Sequence, residues 1–293
     1  MRITQRAVAL TSLQGLNRNL DAVGKLQNQL TSGRLINTVS DSPTGTNRAM
    51  QTRDEQAANA QQARNISDAQ SWLDQSDSTL QTMISTARRV RDLTVQGLST
   101  GSASATSQQA LAIEVTSLRE GLLSLANVQV QGRPLFGGVT SGGKAYDATG
   151  AWVGQAGAPV TRRISDSEKM RVDITGPEAF GPPGADLFAV VNSIATDLTA
   201  NPTALQTHLA DLDAIMNGMS AAVADVGTRG ARLERVSQIN FDRSMALTQQ
   251  LAETENIDLP NTIMRLEMQK VGYEAALSAT AKAIQPTLMD YLR

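Results

Sequence analysis

Residues able to support acid–base or metal chemistry are few in this chain. Among its 293 residues there are one histidine and no cysteine, which excludes disulfides, thiolate metal sites and cysteine nucleophiles. His208 lies in a helical pattern beside Leu205 and Leu209, where we expect a helix-surface residue rather than a ligand or general base. The carboxylates that repeat along the same segment fit a solvated helix face: Asp211, Asp213 and Asp225. We therefore expect no catalytic site, no cofactor and no bound metal.

Signals for phosphate or nucleic-acid binding are equally weak. One cluster of arginines could bind a phosphate, although an inter-subunit salt bridge or solvent exposure is favoured: Arg88, Arg89 and Arg91. The glycine pairs at 137–138 and 142–143 follow no strand-to-helix phosphate-loop pattern. The formal net charge of −2 gives no field that would hold a polyanion. We expect neither a nucleotide site nor a nucleic-acid partner.

The composition indicates helices packed on helices. Apolar residues make up 41% of the chain but aromatic residues only 3%, so the core must consist mainly of aliphatic side chains in periodic segments. No run of about 18 apolar residues occurs, so we expect no membrane span. The N-terminal segment lacks both an unbroken apolar stretch and a small-residue cleavage site, so no cleaved signal peptide is expected.

The N-terminal segment predicts an amphipathic helix. Its apolar residues recur at steps of three and four, with Gln27 filling one position of the stripe: Leu13, Leu16, Leu20, Val23 and Leu30. Gly33 follows where a helix C-cap is expected. Asp41, just ahead of Pro43, predicts the N-cap of the next helix.

The rest of the chain repeats this helical period around one interruption. A second stripe closes the sequence after Pro260: Ile263, Leu266, Tyr273, Leu277, Ile284 and Leu288. Between the ends we predict a helical body at 43–131 and 184–257, interrupted at 132–183 by a small β-rich insertion with many turns. We predict that residues 1–42 and 258–293 form the terminal helices of a coiled coil. The predicted fold is mainly α: a long antiparallel bundle built from both chain ends.

The two terminal stripes allow two interpretations. An isolated amphipathic helix of this length is marginal in water, since packing of the apolar face provides most of its stability. The terminal helices could be ordinary layers of one bundle. Alternatively, they could form an intertwined coil that other subunits complete. Periodicity alone does not choose between these interpretations.

The segment from Leu30 to Pro43 resembles a signature of the flagellin family, in which a helix end leads to a Ser-Gly-Arg turn, an Asn and an Asp-x-Pro turn. The matching residues are Ser32, Gly33, Arg34, Asn37, Asp41 and Pro43. Ser42 stands where a second acidic residue is common. Further resemblances follow in the family's order: the MRIT start, LANVQVQGRPLFGG at 125–138, the strand pattern at 163–176, VGTRGARLERV at 226–236 and the final MDYLR.

The resemblance implies a structural part of the extracellular bacterial flagellum. It implies export through the flagellar secretion channel in an unfolded state, with termini that become ordered on assembly. The implied partners are a ring of identical subunits, the first hook-associated protein, flagellin and an export chaperone that covers the C-terminal helix. The short insertion and the MRI-type start favour a member that joins the hook zone to the filament.

Two alternatives stay open. The chain could be a filament flagellin, whose outer domains are commonly larger or absent. A coiled-coil type III translocator or a chemoreceptor-like module would share the seven-residue repeats. However, such proteins would lack LTSGRLIN and GRPLFGG in this order.

Overall fold

The computed structural model describes residues 2–99 and 104–284. Over these residues the helices are α1 (Arg2–Ser32), α2 (Pro43–Ser99), α3 (Ala105–Ala126), α4 (Gly176–Phe180), α5 (Leu187–Ala200), α6 (Leu205–Glu255) and α7 (Leu259–Ile284), with a 3-10 turn at Pro202–Ala204. The strands are β1 (Gln129–Val130), β2 (Arg133–Pro134), β3 (Thr161–Arg163) and β4 (Lys169–Arg171). The predicted mainly helical fold is confirmed.

The chain divides into two compact units. One consists of residues 59–242, and the other of residues 1–58 together with 243–293. The division falls within α2 and α6, whereas we predicted the domain boundaries near residues 42 and 258. No helix in the described residues is long and apolar enough to cross a membrane.

The unit at 59–242 has an aliphatic helical core. Its seam residues on α2 recur at steps of three and four and are almost fully buried: Ile66, Ala69, Leu73, Ser76, Leu80, Met83, Ala87 and Val90. Leu122 on α3, Ile194 on α5 and Leu212 on α6 are fully buried in the same cluster. The predicted periodic stripes therefore face one another, and burial of this aliphatic surface stabilises the unit.

A buried polar pair interrupts this seam between α2 and α6. The Asn59 side chain donates to the Asn240 carbonyl oxygen at 3.0 Å. Asn240 Nδ2 donates to Asn59 Oδ1 at 2.8 Å and to the Asn59 carbonyl at 3.2 Å. Both residues are more than nine-tenths buried, so each amide depends on the other for its hydrogen bonds.

The inserted segment contains little regular structure. Strand β1 pairs with β2, and β3 with β4, each pair antiparallel. Four aromatic rings form its core: Phe136, Tyr146, Phe180 and Phe188. The centroids of Phe136 and Phe180 lie 4.8 Å apart in an edge-to-face arrangement. Three of the chain's four phenylalanines thus belong to this aromatic cluster, to which α5 contributes Phe188.

Candidate assembly interface

The turn after α1 is built by the residues of the predicted family signature. Gly33 has φ +69°, a left-handed conformation that glycine adopts without strain at a helix end. Asp41 accepts hydrogen bonds from the backbone N–H groups of Asn37 and Thr38 and pairs with Lys25 at 2.9 Å. The Lys25 ammonium, followed by these backbone donors, holds the pKa of Asp41 well below its usual range.

The N-cap of α2 is Ser42, one residue after the predicted Asp41. Ser42 Oγ accepts from the Gly45 N–H at 3.1 Å, as an N-cap side chain does. Asp41 instead caps the preceding turn. Pro43 occupies the first helical position, where its missing N–H costs nothing. Asp41, Ser42 and Pro43 therefore fix the backbone of the turn that connects α1 to α2.

The two connections to the terminal helices are hydrogen-bonded to each other. The Leu35 N–H donates to the Glu255 carbonyl at 2.6 Å, and the Ile257 N–H donates to the Gly33 carbonyl at 3.2 Å. The Glu255 carboxylate also pairs with Arg53 at 2.7 Å. The end of α1 and the start of α7 are thereby held side by side.

Helices α1 and α7 pack against each other in antiparallel directions, and we call them the terminal pair. Of the predicted stripe residues, Leu266 is buried, and four others are half-buried: Leu16, Val23, Leu30 and Tyr273. The Gln269 side chain donates to Asn19 Oδ1 across the pair at 3.1 Å. Gln27, expected in the stripe, is exposed. Gln29 is buried instead and donates to the Leu35 carbonyl at 2.9 Å.

Four other predicted stripe residues remain about half exposed, and we call them the side stripe: Leu13, Leu20, Ile263 and Leu277. Their exposed fractions lie between 45% and 52%. Ile284 is the last residue of α7, and Leu288 lies outside the described residues. The terminal pair thus buries only part of its predicted apolar face within this chain.

A second exposed apolar set on α7 was not predicted, and we call it the outer stripe: Met264, Met268 and Val271. These side chains are 58–68% exposed. Their spacing of four and three residues is the same signal that identified the other stripes. The sequence pattern could therefore have predicted the outer stripe, but the prediction allowed only one apolar face per helix.

Several of the residues considered for catalysis or phosphate binding contact other side chains of the chain. His208 Nε2 lies 2.8 Å from Asp197 Oδ2, and Arg91 contacts Asp213 at 2.6 Å. Arg89 pairs with Glu114 at 2.6 Å. These contacts correct two expectations, because Arg89 and Arg91 pair within the chain and Asp213 is not simply solvated.

Comparison with known proteins supports the predicted family resemblance. Residues 3–141 match the family model of the bacterial flagellin N-terminal helical region. The chain is also 24% identical over 305 residues to flagellar hook-associated protein 3 of Escherichia coli (strain K12), across 95% of this chain and 96% of the relative. The chain is thus similar to flagellins over residues 3–141 and to a flagellar hook-associated protein over nearly its whole length. The predicted resemblance to the flagellin family is confirmed, and these two relatives are flagellar proteins.

Solved structures share the fold of this chain. A crystal structure of FlgL from Bacillus cereus matches with a TM-score of 0.61 and 22% identity, over 69% of this chain and 99% of that one. The flagellar junction protein FlgL from Legionella pneumophila matches with a TM-score of 0.58 and 14% identity, over 71% and 100%. The relatives are flagellar structural proteins, in agreement with the prediction of a structural protein rather than an enzyme.

Proposed function

We propose that this chain joins the hook-associated zone of the flagellum to the filament. In this role it is exported unfolded and polymerises as a ring of identical subunits between the first hook-associated protein and flagellin. The hook-associated relative from Escherichia coli, matched over nearly the full length of both chains, supports this proposal. An export chaperone that covers α7 before assembly completes the proposed set of partners.

The observation that carries polymerisation is the exposed side stripe on the terminal pair. Complete burial of a large aliphatic side chain is worth about 1.5–3 kcal/mol, so burial of the remaining half contributes about 1 kcal/mol per residue. Four half-exposed residues could then add about 4 kcal/mol per subunit on assembly. Helices that are marginal alone become stable when neighbouring subunits cover them. Residues 1–42 and 258–293 act in this proposal as the assembly coil.

A truncation tests the proposed function. Removal of residues 258–293 deletes α7 and leaves every residue of the unit at 59–242 in place. We expect the circular dichroism of that helical unit to persist, while cells that carry the truncated protein lose attached filaments and release flagellin into the medium. Wild-type motility with the truncated protein would contradict the proposal.

Charge substitutions test the side stripe separately. Leu20→Asp or Leu277→Asp places a charge on the surface that neighbours are proposed to bury. We expect assembly to fail while the thermal unfolding of the monomer changes little, because both residues are half exposed. Met50→Asp is the matched control, since Met50 is also exposed but lies on α2. Motile cells with assembled Leu20→Asp and Leu277→Asp proteins would refute the burial of this stripe.

A filament flagellin is the second candidate, because the matched family model describes the flagellin N-terminal region itself. Complementation distinguishes the two functions. A junction protein restores filaments to cells that lack the hook–filament junction and does not replace flagellin. The reverse result would assign the chain to the filament.

A further inference from the structure

The inserted segment contains a pocket that the proposed assembly does not use, and we call it the insertion pocket. Its volume is about 350 Å³, which lies in the range of pockets that hold small molecules. All the residues that line it belong to the unit at 59–242. The lining combines apolar side chains with three charged ones, and this combination indicates what the pocket can bind.

Trp152 is the largest apolar side chain of the insertion pocket, whose lining also contains Val139 and two prolines. The Trp152 Nε1 donates to the Phe136 carbonyl at 3.1 Å. A Cβ atom at Gly154 would lie only 2.6 Å from the Trp152 ring, so the glycine allows the backbone to pack against the indole. The ring is thus fixed in orientation, while part of it stays exposed.

The charged residues of the pocket hold one another in place. Arg171 donates through Nε to Asp173 Oδ1 at 2.9 Å and through Nη2 to Glu178 Oε2 at 2.7 Å. The Val160 N–H also donates to Asp173 Oδ1 at 3.0 Å, and the Thr175 N–H donates to Glu178 Oε2 at 3.0 Å. These groups are therefore ordered before a ligand arrives, which lowers the entropic cost of binding.

Two of the charged groups remain accessible to a ligand. The side chains of Glu178 and Arg171 are 47% and 31% exposed, whereas that of Asp173 is 3% exposed. Carboxylate oxygens and guanidinium nitrogens each form several hydrogen bonds, so the contact between Glu178 and Arg171 leaves both with free capacity. Two carboxylates and one guanidinium together carry an excess of negative charge, which disfavours an anionic ligand.

A ligand for this pocket needs an apolar face and a rim of groups that both donate and accept hydrogen bonds. The pyranose ring of a neutral sugar has this combination, because its C–H groups can lie against an aromatic ring while its hydroxyls surround them. Hydroxyls donate to a carboxylate and accept from a guanidinium, and hydrogen bonds to charged partners are the stronger ones. A wholly apolar ligand would instead displace water from Arg171 and Glu178 without replacing its hydrogen bonds.

We propose that the insertion pocket binds a neutral sugar. One pyranose ring packs on the Trp152 indole, and its hydroxyls bind Glu178 and Arg171. This binding goes beyond the proposed function, since the terminal pair carries assembly and the pocket belongs to the other unit. A free sugar and the end of a glycan chain share the neutral ring that the pocket would recognise.

Saturation-transfer NMR with the full-length protein tests this proposal. The probes are glucose, galactose and mannose, each paired with its uronic acid, and cyclohexanol as an apolar ring. We expect transfer to the C–H protons of at least one hexose, with a Kd in the millimolar range expected of so small a ligand. The uronic acid of that hexose should bind at least about tenfold more weakly because of its charge. Equal binding of the methyl glycoside would support the end of a glycan as the ligand, and its failure to bind would support a free sugar.

Two variants locate the binding. Glu178→Gln should weaken hexose binding by about tenfold, because it removes a charged hydrogen-bond partner, and Trp152→Ala should abolish it. Glu114→Gln is the matched control, since Glu114 is 43% exposed and pairs with Arg89 outside the pocket. Trp72→Phe is the control for loss of an indole, because Trp72 is buried in the helical core. Circular dichroism shows whether each variant is folded.

Three results would overturn the proposal. The first is no transfer to any of the three hexoses. The second is equal hexose affinity of the wild type and a folded Glu178→Gln protein, a comparison that stands even if Trp152→Ala fails to fold. The third is stronger transfer to cyclohexanol than to every hexose.

Discussion

The buried Asn59–Asn240 pair gives a prediction whose magnitude follows from its hydrogen bonds. Asn240→Leu keeps the branching of the side chain but leaves Asn59 Oδ1 without its 2.8 Å partner. Asn59→Leu removes the same bond from the other side and leaves Asn240 Nδ2 only the 3.2 Å bond to the Asn59 carbonyl. A buried polar atom without a partner costs about 1–3 kcal/mol, so each single variant should lose about 2 kcal/mol.

The double variant should behave differently from the sum of the two. Replacing both amides leaves no stranded side-chain group and adds apolar contact between α2 and α6, so its stability should lie within about 1 kcal/mol of the wild type. The coupling energy of the pair is then at least about 2 kcal/mol. Urea unfolding followed by circular dichroism measures this energy, with a midpoint about 1 M lower for each single variant if the slope is about 2 kcal/mol/M.

A control pair separates the buried bond from a general effect of leucine. Gln56 and Thr248 also face each other across α2 and α6, but their side chains are 3.5 Å apart and exposed. Gln56→Leu with Thr248→Val should show little coupling. Strictly additive losses for the Asn59 and Asn240 substitutions would refute the view that the two amides satisfy one another.

Three further predictions concern single residues. Leu80→Ala should lower the free energy of unfolding in urea by about 2–5 kcal/mol because Leu80 is fully buried. Leu20→Ala should change the unfolding free energy of the monomer by about 0.5 kcal/mol or less. Equal losses for the two variants would contradict the assigned burial. Asp186 caps α5 through the Ala189 N–H at 2.9 Å, and burial raises the pKa of its carboxyl. The stabilising effect of Asp186 is therefore greatest at low pH and falls as pH rises through the folded-state pKa. Asp186→Asn should thus match or exceed the wild-type stability at pH 7 but not at pH 4. Asp186→Ala, which removes the cap, should lose about 1 kcal/mol at pH 7. The pKa of Asp41 is lowered chiefly by Lys25, so the stabilisation from Asp41 is present above about pH 4 and is lost as pH falls. On acid titration, Asp41→Asn should therefore lose less unfolding free energy than the wild type. Identical acid curves for the two proteins would argue against this contribution.

The helical elements were predictable because their signals are local. Apolar residues at steps of three and four located α1, α2, α6 and α7, and Gly33 marked the end of α1. The inserted segment was less predictable in detail, since its strands contain only two or three residues. Its core depends on contacts among aromatic rings that are distant in sequence.

The interface residues were predictable only in part. The periodicity of apolar residues identifies a stripe on α1 but does not show which of its residues face α7. Leu16 and Leu20 therefore looked equivalent, although only Leu16 faces inward. Assigning the polar position to Gln27 rather than Gln29 had the same cause, because the hydrogen bond from Gln29 to the Leu35 carbonyl requires the folded turn. The asparagine pair joins positions 181 residues apart, a register that no local pattern specifies.

The hydrogen-bonded connections at the base of the terminal pair also determine when this part of the protein can fold. Arg53 and Glu255 are 202 positions apart, and α7 is the last helix of the described chain. Contacts between such distant segments form slowly unless an intervening structure first brings them together. The helical segments of the unit at 59–242 pack on one another in one core. We therefore expect the contacts between α1 and α7 to form after the contacts within the unit at 59–242.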